Sequence, residues 1–203
     1  MTNRHVFPGR TARLKACLFS LLLIPSSMVM ASGGYDHGTP AGKGKLDIDL
    51  TINPGNKIEQ GQTYVVWGYG LTDLLDFHGY VSHEANGTDQ IYVGLMYNFY
   101  SNARIDLSTA IGARSRKGEL DYFFPQLLYT VKIDKGFEVM GSVVRIYNPD
   151  LKSNRGVTYD LGLRIPVPEN LLPTSLGDVK FTIGAFRGLA KQWNPTYSVD
   201  FKF

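Results

Sequence analysis

The most constraining feature of this sequence is an alternation of apolar and polar residues that recurs from residue 45 to the C terminus. In the segment 46–52, leucine or isoleucine alternates with aspartate or threonine. Residues two apart share one face of a β-strand, so each such segment predicts a strand with one apolar and one polar face. The chain is therefore predicted to be all-β. About ten segments show the pattern: 46–52, 63–71, 75–82, 91–99, 105–111, 127–133, 137–143, 157–165, 179–183 and 197–203.

Residues 1–31 have the features of a cleaved secretory signal peptide. Four basic residues precede an apolar run over 17–24, and Val29 and Ala31 are the small residues expected before a cleavage site. Pro25 ends the apolar run well short of the ~20 residues that a transmembrane helix needs. The one cysteine, Cys17, lies in this segment, so no disulfide or thiol chemistry is expected after cleavage.

The charge balance of the chain and the segment after residue 31 indicate neither a nucleic-acid partner nor a metal site. Four of the 21 basic residues and none of the 18 acidic residues lie in 1–31, so the rest of the chain is close to neutral, which does not favour nucleic acid as a partner. The glycine-rich segment 32–44 is expected to be a flexible periplasmic tail, and 45–203 to form one domain. His37 lies beside Asp36, but two ligands do not make a metal site, so no metal or cofactor is predicted.

The alternating segments predict a transmembrane antiparallel up-and-down β-barrel of ten strands, with eight as the alternative if two weak segments are loops. No other long apolar segment follows 1–31, and most alternating segments approach the ~9–11 residues that cross a membrane obliquely. Connections at 72–73, 101–102 and 134–136 are expected to be tight, and a long loop is expected over 113–125. A soluble periplasmic barrel of the lipocalin type is a further alternative.

The last seven residues, 197–203, alternate without a break and end on an aromatic residue. Their apolar face consists of Tyr197, Val199, Phe201 and Phe203. This ending resembles the C-terminal assembly signal of bacterial outer-membrane β-barrel proteins. The resemblance implies a location in the cell outer membrane and the barrel-assembly machinery as a partner. It also implies that lipid and lipopolysaccharide surround a barrel that is monomeric by default.

The segment 68–77, Gly-Tyr-Gly-Leu-Thr-Asp-Leu-Leu-Asp-Phe, resembles a hairpin found in several families of outer-membrane transport barrels. Together the two resemblances make the chain similar to the small porin-like barrels of Gram-negative bacteria. They imply a small channel or a transport-related barrel. A structural or adhesive barrel with a plugged lumen is the first alternative to that function.

If the apolar face points to lipid, the alternate residues line the lumen. Eight charged residues would then form one layer near the periplasmic end: Asp47, Asp76, Asp106, Lys132, Glu138, Arg164, Lys180 and Asp200. Because the layer mixes both signs, its members are expected to pair and plug the barrel rather than to form a single-signed selectivity filter. Small residues above the layer, such as Gly94 and Gly112, leave open an aqueous vestibule or an easing of strand curvature.

A lipid-active enzyme is the less favoured alternative. His78 and Ser82 lie on one predicted strand about 13 Å apart at ~3.3 Å per residue, which is too far for a nucleophile and its base. Lipid A deacylases of the small-barrel type carry a histidine two residues before their serine, and Tyr80 occupies that position here. No catalytic residue is therefore predicted, and the chain is not expected to be an enzyme.

Aromatic residues near the predicted strand ends are expected to face the two membrane interfaces. Tyr64, Phe123 and Trp193 belong to this group. Basic residues in the predicted loops, including Arg114 and Arg116, are expected to be solvated, and lipopolysaccharide phosphates are ligands that such groups could hold.

Overall fold

The computed structural model describes residues 37–54, 61–172 and 176–203, so the predicted signal peptide lies outside the described residues. No helix among these residues is long and apolar enough to cross a membrane. Three 3-10 helices, Asp134–Gly136, Lys152–Asn154 and Glu169–Leu171, lie in connections. The strands are β1 Leu46–Asn53, β2 Gln62–Gly70, β3 Leu75–Glu84, β4 Asp89–Ser101, β5 Ile105–Arg116, β6 Glu119–Lys132, β7 Glu138–Tyr147, β8 Gly156–Pro166, β9 Asp178–Arg187 and β10 Trp193–Lys202.

Each strand pairs antiparallel with its neighbour in sequence, and β1 pairs with β10 to close the barrel. The predicted all-β, up-and-down barrel of ten strands is therefore confirmed, and the alternative count of eight is not. Closure leaves no edge strand, so every strand has a hydrogen-bonding partner on both sides.

The barrel has two ends, which differ in their connections. The terminal end holds the beginning of β1 and the C terminus, where Leu46 and Phe203 exchange backbone hydrogen bonds of 3.2 and 2.9 Å. The loop end lies opposite. Its β3–β4 connection, 85–88, is short, and its β7–β8 connection, 148–155, is longer and includes a 3-10 helix.

The alternation in the sequence becomes an apolar exterior and a polar interior. On β1 the inward Asp49 is 8% exposed, whereas the outward Leu50 is 46% exposed. Phe77, Ile91 and Leu161 are exposed in the same way on other strands. A soluble barrel would bury its apolar face, so this arrangement is typical of a barrel surrounded by lipid rather than of a lipocalin.

The expected loop over 113–125 is wrong, because these residues continue β5 and β6. The strands meet in a turn of two residues, Lys117 and Gly118, with positive φ angles of 50° and 83°. Such a turn matches the twist of the two strands it joins. Pro125 lies inside β6 where the pairing with β7 shifts between Phe123 and Gln126, and a proline is tolerated at a bulge because no ladder donor is needed there.

Candidate functional site in the barrel lumen

An aromatic cluster, Tyr64, Tyr80, Tyr92 and Phe123, fills the lumen beside strands β2 to β6. The rings of Tyr80 and Tyr92 stack with their centroids 5.2 Å apart, and Tyr92 meets Phe123 edge-on at 5.2 Å. Tyr64 meets Tyr80 edge-on at 5.4 Å. All four side chains are buried. This half of the lumen is therefore packed like a protein core.

Two members of the aromatic cluster were expected at the membrane interfaces, and their inward orientation corrects that expectation. Leu127 and Val131 point outward, so the period of two would also place Phe123 outside. The register shift between Phe123 and Gln126 reverses the alternation along β6, and Phe123 consequently points inward. Trp193, by contrast, is exposed on the exterior, as expected.

Small residues in the lumen make room for Tyr92 rather than for an aqueous vestibule. A Cβ atom at Gly112 would lie 2.2 Å from Tyr92 Oη, and one at Gly94 would lie 2.6 Å from it. Gln126 Nε2 donates a hydrogen bond of 2.8 Å to the same hydroxyl. The two glycines thus hold the ring and its hydroxyl in a single position.

The residues considered for lipid hydrolysis have separate partners. His78 Nε2 lies 3.4 Å from Tyr92 Oη, and Ser82 Oγ accepts a hydrogen bond of 2.8 Å from Gln62 Nε2. His83 Nδ1 lies 2.6 Å from the Asp89 carboxylate at the exposed loop end. This arrangement does not bring a serine and a histidine into contact.

Four members of the predicted charge layer form one ion-pair cluster at the terminal end, and we call Glu138, Arg164, Lys180 and Asp200 the Arg164 cluster. Arg164 Nη2 lies 2.7 Å from Asp200 Oδ1, and Arg164 Nη1 lies 3.4 Å from Glu138 Oε2. Lys180 Nζ lies 2.9 Å from Glu138 Oε1. Strand register explains the contacts, because Glu138 pairs with Arg164 across β7 and β8 and Lys180 pairs with Asp200 across β9 and β10.

The other four members of the layer have ion pairs or hydrogen bonds outside the Arg164 cluster, and Asp47 lines one cavity with that cluster. Lys132 Nζ lies 2.9 Å from Asp106 Oδ2. Asp47 and Asp76 are both buried and contact the chain segment that precedes β1, through His37 and the backbone amide of Ala41 respectively. The eight residues therefore share one end of the lumen in several smaller groups, and their role as a functional layer stays a prediction.

The segment that precedes β1 enters the terminal end of the lumen; we call residues 37–41 the inserted segment. Gly38 donates its amide to Thr130 Oγ1 at 3.0 Å, and its carbonyl accepts from Ser108 Oγ at 2.6 Å. His37 and Ala41 are almost completely buried. A flexible tail was expected over 32–44; among its described residues, 37–41 pack into the lumen, and Lys43 and Gly44 are exposed.

His37 is neutral in this position because of its surroundings. Its Nε2 atom lies 3.5 Å from Asp47 Oδ2, which favours the charged ring. Burial acts more strongly in the opposite direction, and the positive charges of Arg164, Lys202 and Lys180 add to it, so the pKa of His37 lies well below its ordinary value of 6.5. Protonation of this ring therefore opposes its burial.

Two small cavities lie along the opposite wall of the lumen, which is formed by β1 and β7–β10. Each has about 30 Å³ of space for the centres of water molecules, which is room for about two waters. Small polar side chains such as Thr51, Thr182 and Ser198 line the upper cavity together with larger ones, among them Tyr64 and Phe186. The lower cavity is lined by His37, Thr39, Asp47, Asp178, Lys202 and the Arg164 cluster. Thr182 lines the upper cavity and Asp200 lines the lower one, and a hydrogen bond of 3.0 Å joins the two side chains.

The loop end of the lumen is closed by charges that were expected to be solvated. Arg114 is buried and pairs with Asp121, which also accepts a hydrogen bond of 2.7 Å from Asn148 Nδ2. The guanidinium of Arg114 lies 5.1 Å from the ring centroid of Phe123. Arg116 pairs with Glu84 at 2.8 Å. Arg114 is thus an internal residue that supports the aromatic cluster.

The C-terminal strand has a structural role that is visible in the fold. β10 joins β9 to β1 and so closes the barrel. The rings of Phe201 and Phe203 stack with centroids 6.5 Å apart, and Phe203 is exposed. The function of Tyr197, Val199, Phe201 and Phe203 as an assembly signal stays a prediction. No group of three or more metal-ligating side chains occurs in the part of the chain that the structure describes.

Comparison with solved structures finds the same architecture in outer-membrane porins. A KdgM porin aligns with 78% of this chain and 98% of its own, with a TM-score of 0.52 and 9% sequence identity. The KdgM porin in complex with disordered oligogalacturonate aligns over the same shares with a TM-score of 0.51 and 9% identity. This likeness shows a shared porin-like barrel fold. No protein-family model and no curated protein matches the chain.

Proposed function

We propose that this protein is a narrow outer-membrane channel or transport barrel whose pathway follows β1 and β7–β10 and is closed in the described conformation. The apolar exterior and polar interior support a position in lipid. The porin-like fold and the predicted signal peptide and C-terminal assembly signal support the outer membrane in particular.

The pair of cavities on one wall is the observation that carries the proposal. The aromatic cluster fills the side of the lumen beside β2–β6, and its member Tyr64 also borders the upper cavity. The space that remains for water therefore lies on the side of β1 and β7–β10. The Arg164 cluster and the inserted segment line the lower of the two cavities. A modest displacement of these groups would join the cavities to the terminal end.

The size and charge of this path suit ions and small polar solutes. Each cavity holds about two waters, and the Arg164 cluster contains two positive and two negative side chains. A balanced cluster gives little preference for one sign of ion, because selectivity filters based on charge are single-signed. We therefore expect small conductance with weak ion selectivity.

Single-channel recording in planar bilayers tests the proposal. The protein is expected to give brief, small current steps at neutral pH, and longer openings at pH 5, because protonation of His37 opposes the burial of the inserted segment that lines the lower cavity. Arg164→Gln should lengthen the openings at neutral pH. Lys191→Gln, which also removes one positive charge but at an exposed position, should not lengthen them.

A structural barrel with a plugged lumen is the second candidate, and the aromatic cluster is the observation that favours it. Its rings pack as tightly as a soluble core, which suits a barrel that never conducts. Absence of current at both pH values, from protein shown to be folded by its heat-modifiable migration, would support this candidate and contradict the channel.

A further inference from the structure

We propose that the terminal end of the lumen is a binding site for a short peptide segment, and that residues 37–41 of the chain occupy it as a displaceable internal ligand. The site itself is argued from contacts alone. Its role in closing a pathway rests on the proposed channel function.

The site holds the backbone of the inserted segment along its length. The carbonyl of Gly38 accepts hydrogen bonds from Ser108 Oγ at 2.6 Å and from Asn98 Nδ2 at 3.1 Å, while its amide donates to Thr130. The amide of Ala41 donates to Asp76 Oδ2 at 2.8 Å. These hydrogen bonds satisfy backbone groups of the segment that would otherwise be buried without partners, and main-chain hydrogen bonds contribute affinity in peptide recognition.

Side chains add to this recognition at two further points. Thr39 Oγ1 donates a hydrogen bond of 2.7 Å to Asp106, and Lys202 Nζ donates one of 3.1 Å to the carbonyl of Pro40. The donors and acceptors of the site therefore come from several strands, which lie on different sides of the lumen. A segment bound across these strands spans the opening at this end.

The fit at Gly38 leaves no space for a side chain. A Cβ atom there would lie 2.8 Å from the backbone oxygens of Asp106 and Leu128. At the edge of the site, a Cβ atom at Gly70 would lie 1.8 Å from the carbonyl oxygen of Gly42, the residue that follows the inserted segment. The site thus selects a peptide with glycine at its second position and excludes larger residues there.

None of the ten strands includes the inserted segment, and the barrel closes through β1 and β10 without it. Its release would therefore leave the strand pairing unchanged. Because the inserted segment takes no part in the strand pairing, it can be displaced without opening the barrel. The same property allows its position to be tested in an otherwise intact barrel.

Access of a water-soluble thiol reagent to Met96→Cys measures whether the segment is in place. Met96 is fully buried, pairs with Asp76 across β3 and β4, and lies two residues above Asn98. A Cys17→Ser background makes the introduced thiol the only one in the chain. The rate of modification is proportional to the fraction of molecules in which the segment is released. Because a minor state of this kind is typically 0.1–10% populated, complete release should raise the rate about tenfold or more.

Gly38→Leu is the main test variant, and Lys43→Leu is its matched control. The side chain of Lys43 is exposed, and its backbone amide donates a hydrogen bond to Asp73. A leucine at this position therefore leaves the inserted segment in place. We expect rapid modification of Met96→Cys with Gly38→Leu and slow modification with Lys43→Leu. Gly70→Ala, which acts from the barrel side, should behave like Gly38→Leu. Equal rates in all variants would overturn the proposal.

A synthetic peptide with the sequence of residues 37–41 tests binding directly. Added at millimolar concentration to the folded Gly38→Leu protein, it should restore protection of Met96→Cys, because the tethered segment itself acts at an effective concentration in that range. The same peptide with leucine at its second position should give no protection. Failure of the glycine peptide to protect would contradict a peptide site.

Conductance recordings of the same variants separate the two proposals. Thiol access that rises in Gly38→Leu without current in any variant would leave the peptide site intact and contradict the channel. The other outcome is that the parent protein conducts while Gly38→Leu changes neither the thiol access nor the channel open time. That result would contradict a role of the inserted segment in closing the pathway and leave the channel proposal standing.

Discussion

Arg164 and Asp200 form a buried ion pair of 2.7 Å, in which the two side chains are only 5% and 6% exposed. The pair joins β8 to β10 past the intervening β9, and the second guanidinium nitrogen of Arg164 contacts Glu138. The charges of two buried carboxylates are therefore compensated by one guanidinium group. These groups lie at the terminal end of the barrel, which the inserted segment also occupies. The first prediction follows from this compensation.

Arg164→Met should destabilise the protein. The substitution leaves two buried carboxylates with reduced compensation, and breaking a buried ion pair costs about 3–5 kcal/mol. We expect a loss near this value in the free energy of unfolding, measured by urea titration of the protein in lipid vesicles. Lys191→Met, which removes an exposed charge, should change it by less than about 0.5 kcal/mol. A loss below about 1 kcal/mol for Arg164→Met would show that the cluster is solvated.

Gly112→Ala and Tyr92→Leu should be strongly coupled. Gly112→Ala alone forces its new methyl group against the Tyr92 ring and should cost about 1–3 kcal/mol. Tyr92→Leu removes the atoms that would clash, so the alanine should cost much less in that background. The predicted coupling energy is at least about 1 kcal/mol in a double-mutant cycle of unfolding free energies. Additive effects would mean that the ring does not hold the position described here.

The inserted segment should be released as the pH falls, through His37. The pKa of His37 is lowered in the bound state, and the released histidine has its ordinary pKa near 6.5. The released state therefore binds more protons below about pH 6.5, and binding of the segment weakens there by up to about 1.4 kcal/mol per pH unit. Above pH 6.5 both states are neutral at this residue, and no further change is expected.

A spin label on Lys43→Cys, in the Cys17→Ser background, measures this release as an increase in the mobile fraction between pH 7.5 and 5. His37→Gln should abolish the increase, because a glutamine cannot be protonated. The charged groups that face His37 are Asp47 on β1, Arg164 on β8, Lys180 on β9 and Lys202 on β10. An unchanged pH profile in His37→Gln would show that His37 does not control the release.

Gly118→Ala should destabilise the β5–β6 hairpin. Gly118 has a φ of 83° in the two-residue turn, a conformation that glycine adopts at little cost and alanine does not. We expect a loss of about 1 kcal/mol in unfolding free energy. Lys117→Asn should be neutral or slightly stabilising, because asparagine tolerates positive φ better than lysine. No effect of Gly118→Ala would favour the longer loop that the sequence had suggested.

The alternation in the sequence predicted most of the fold, with the strand number open between ten and eight. A period of two is local, and each segment with one apolar and one polar face specifies a strand whatever its neighbours are. Ten such segments with short connections leave few ways to satisfy the backbone except an up-and-down barrel. The apolar exterior follows from the same pattern, as the inward Asp49 and outward Leu50 show.

The contents of the lumen could not be obtained in this way. A single register shift reverses the alternation along β6 and turns Phe123 inward, and the turn at Lys117 and Gly118 lies within what composition suggested was a loop. Contacts across the lumen depend on the stagger with which the barrel closes, and closure is a property of all ten strands together.

The sequence by itself therefore determined that the chain is all-β, where most strands lie and which side most residues present, because these are set by neighbours along the chain. Only the tertiary structure decided that Arg164 meets both Glu138 and Asp200, that Gly94 and Gly112 receive Tyr92, and that residues 37–41 enter the lumen. Gly38 and Thr130 are 92 positions apart, and a hydrogen bond over that separation leaves no local pattern in the sequence from which it could be predicted.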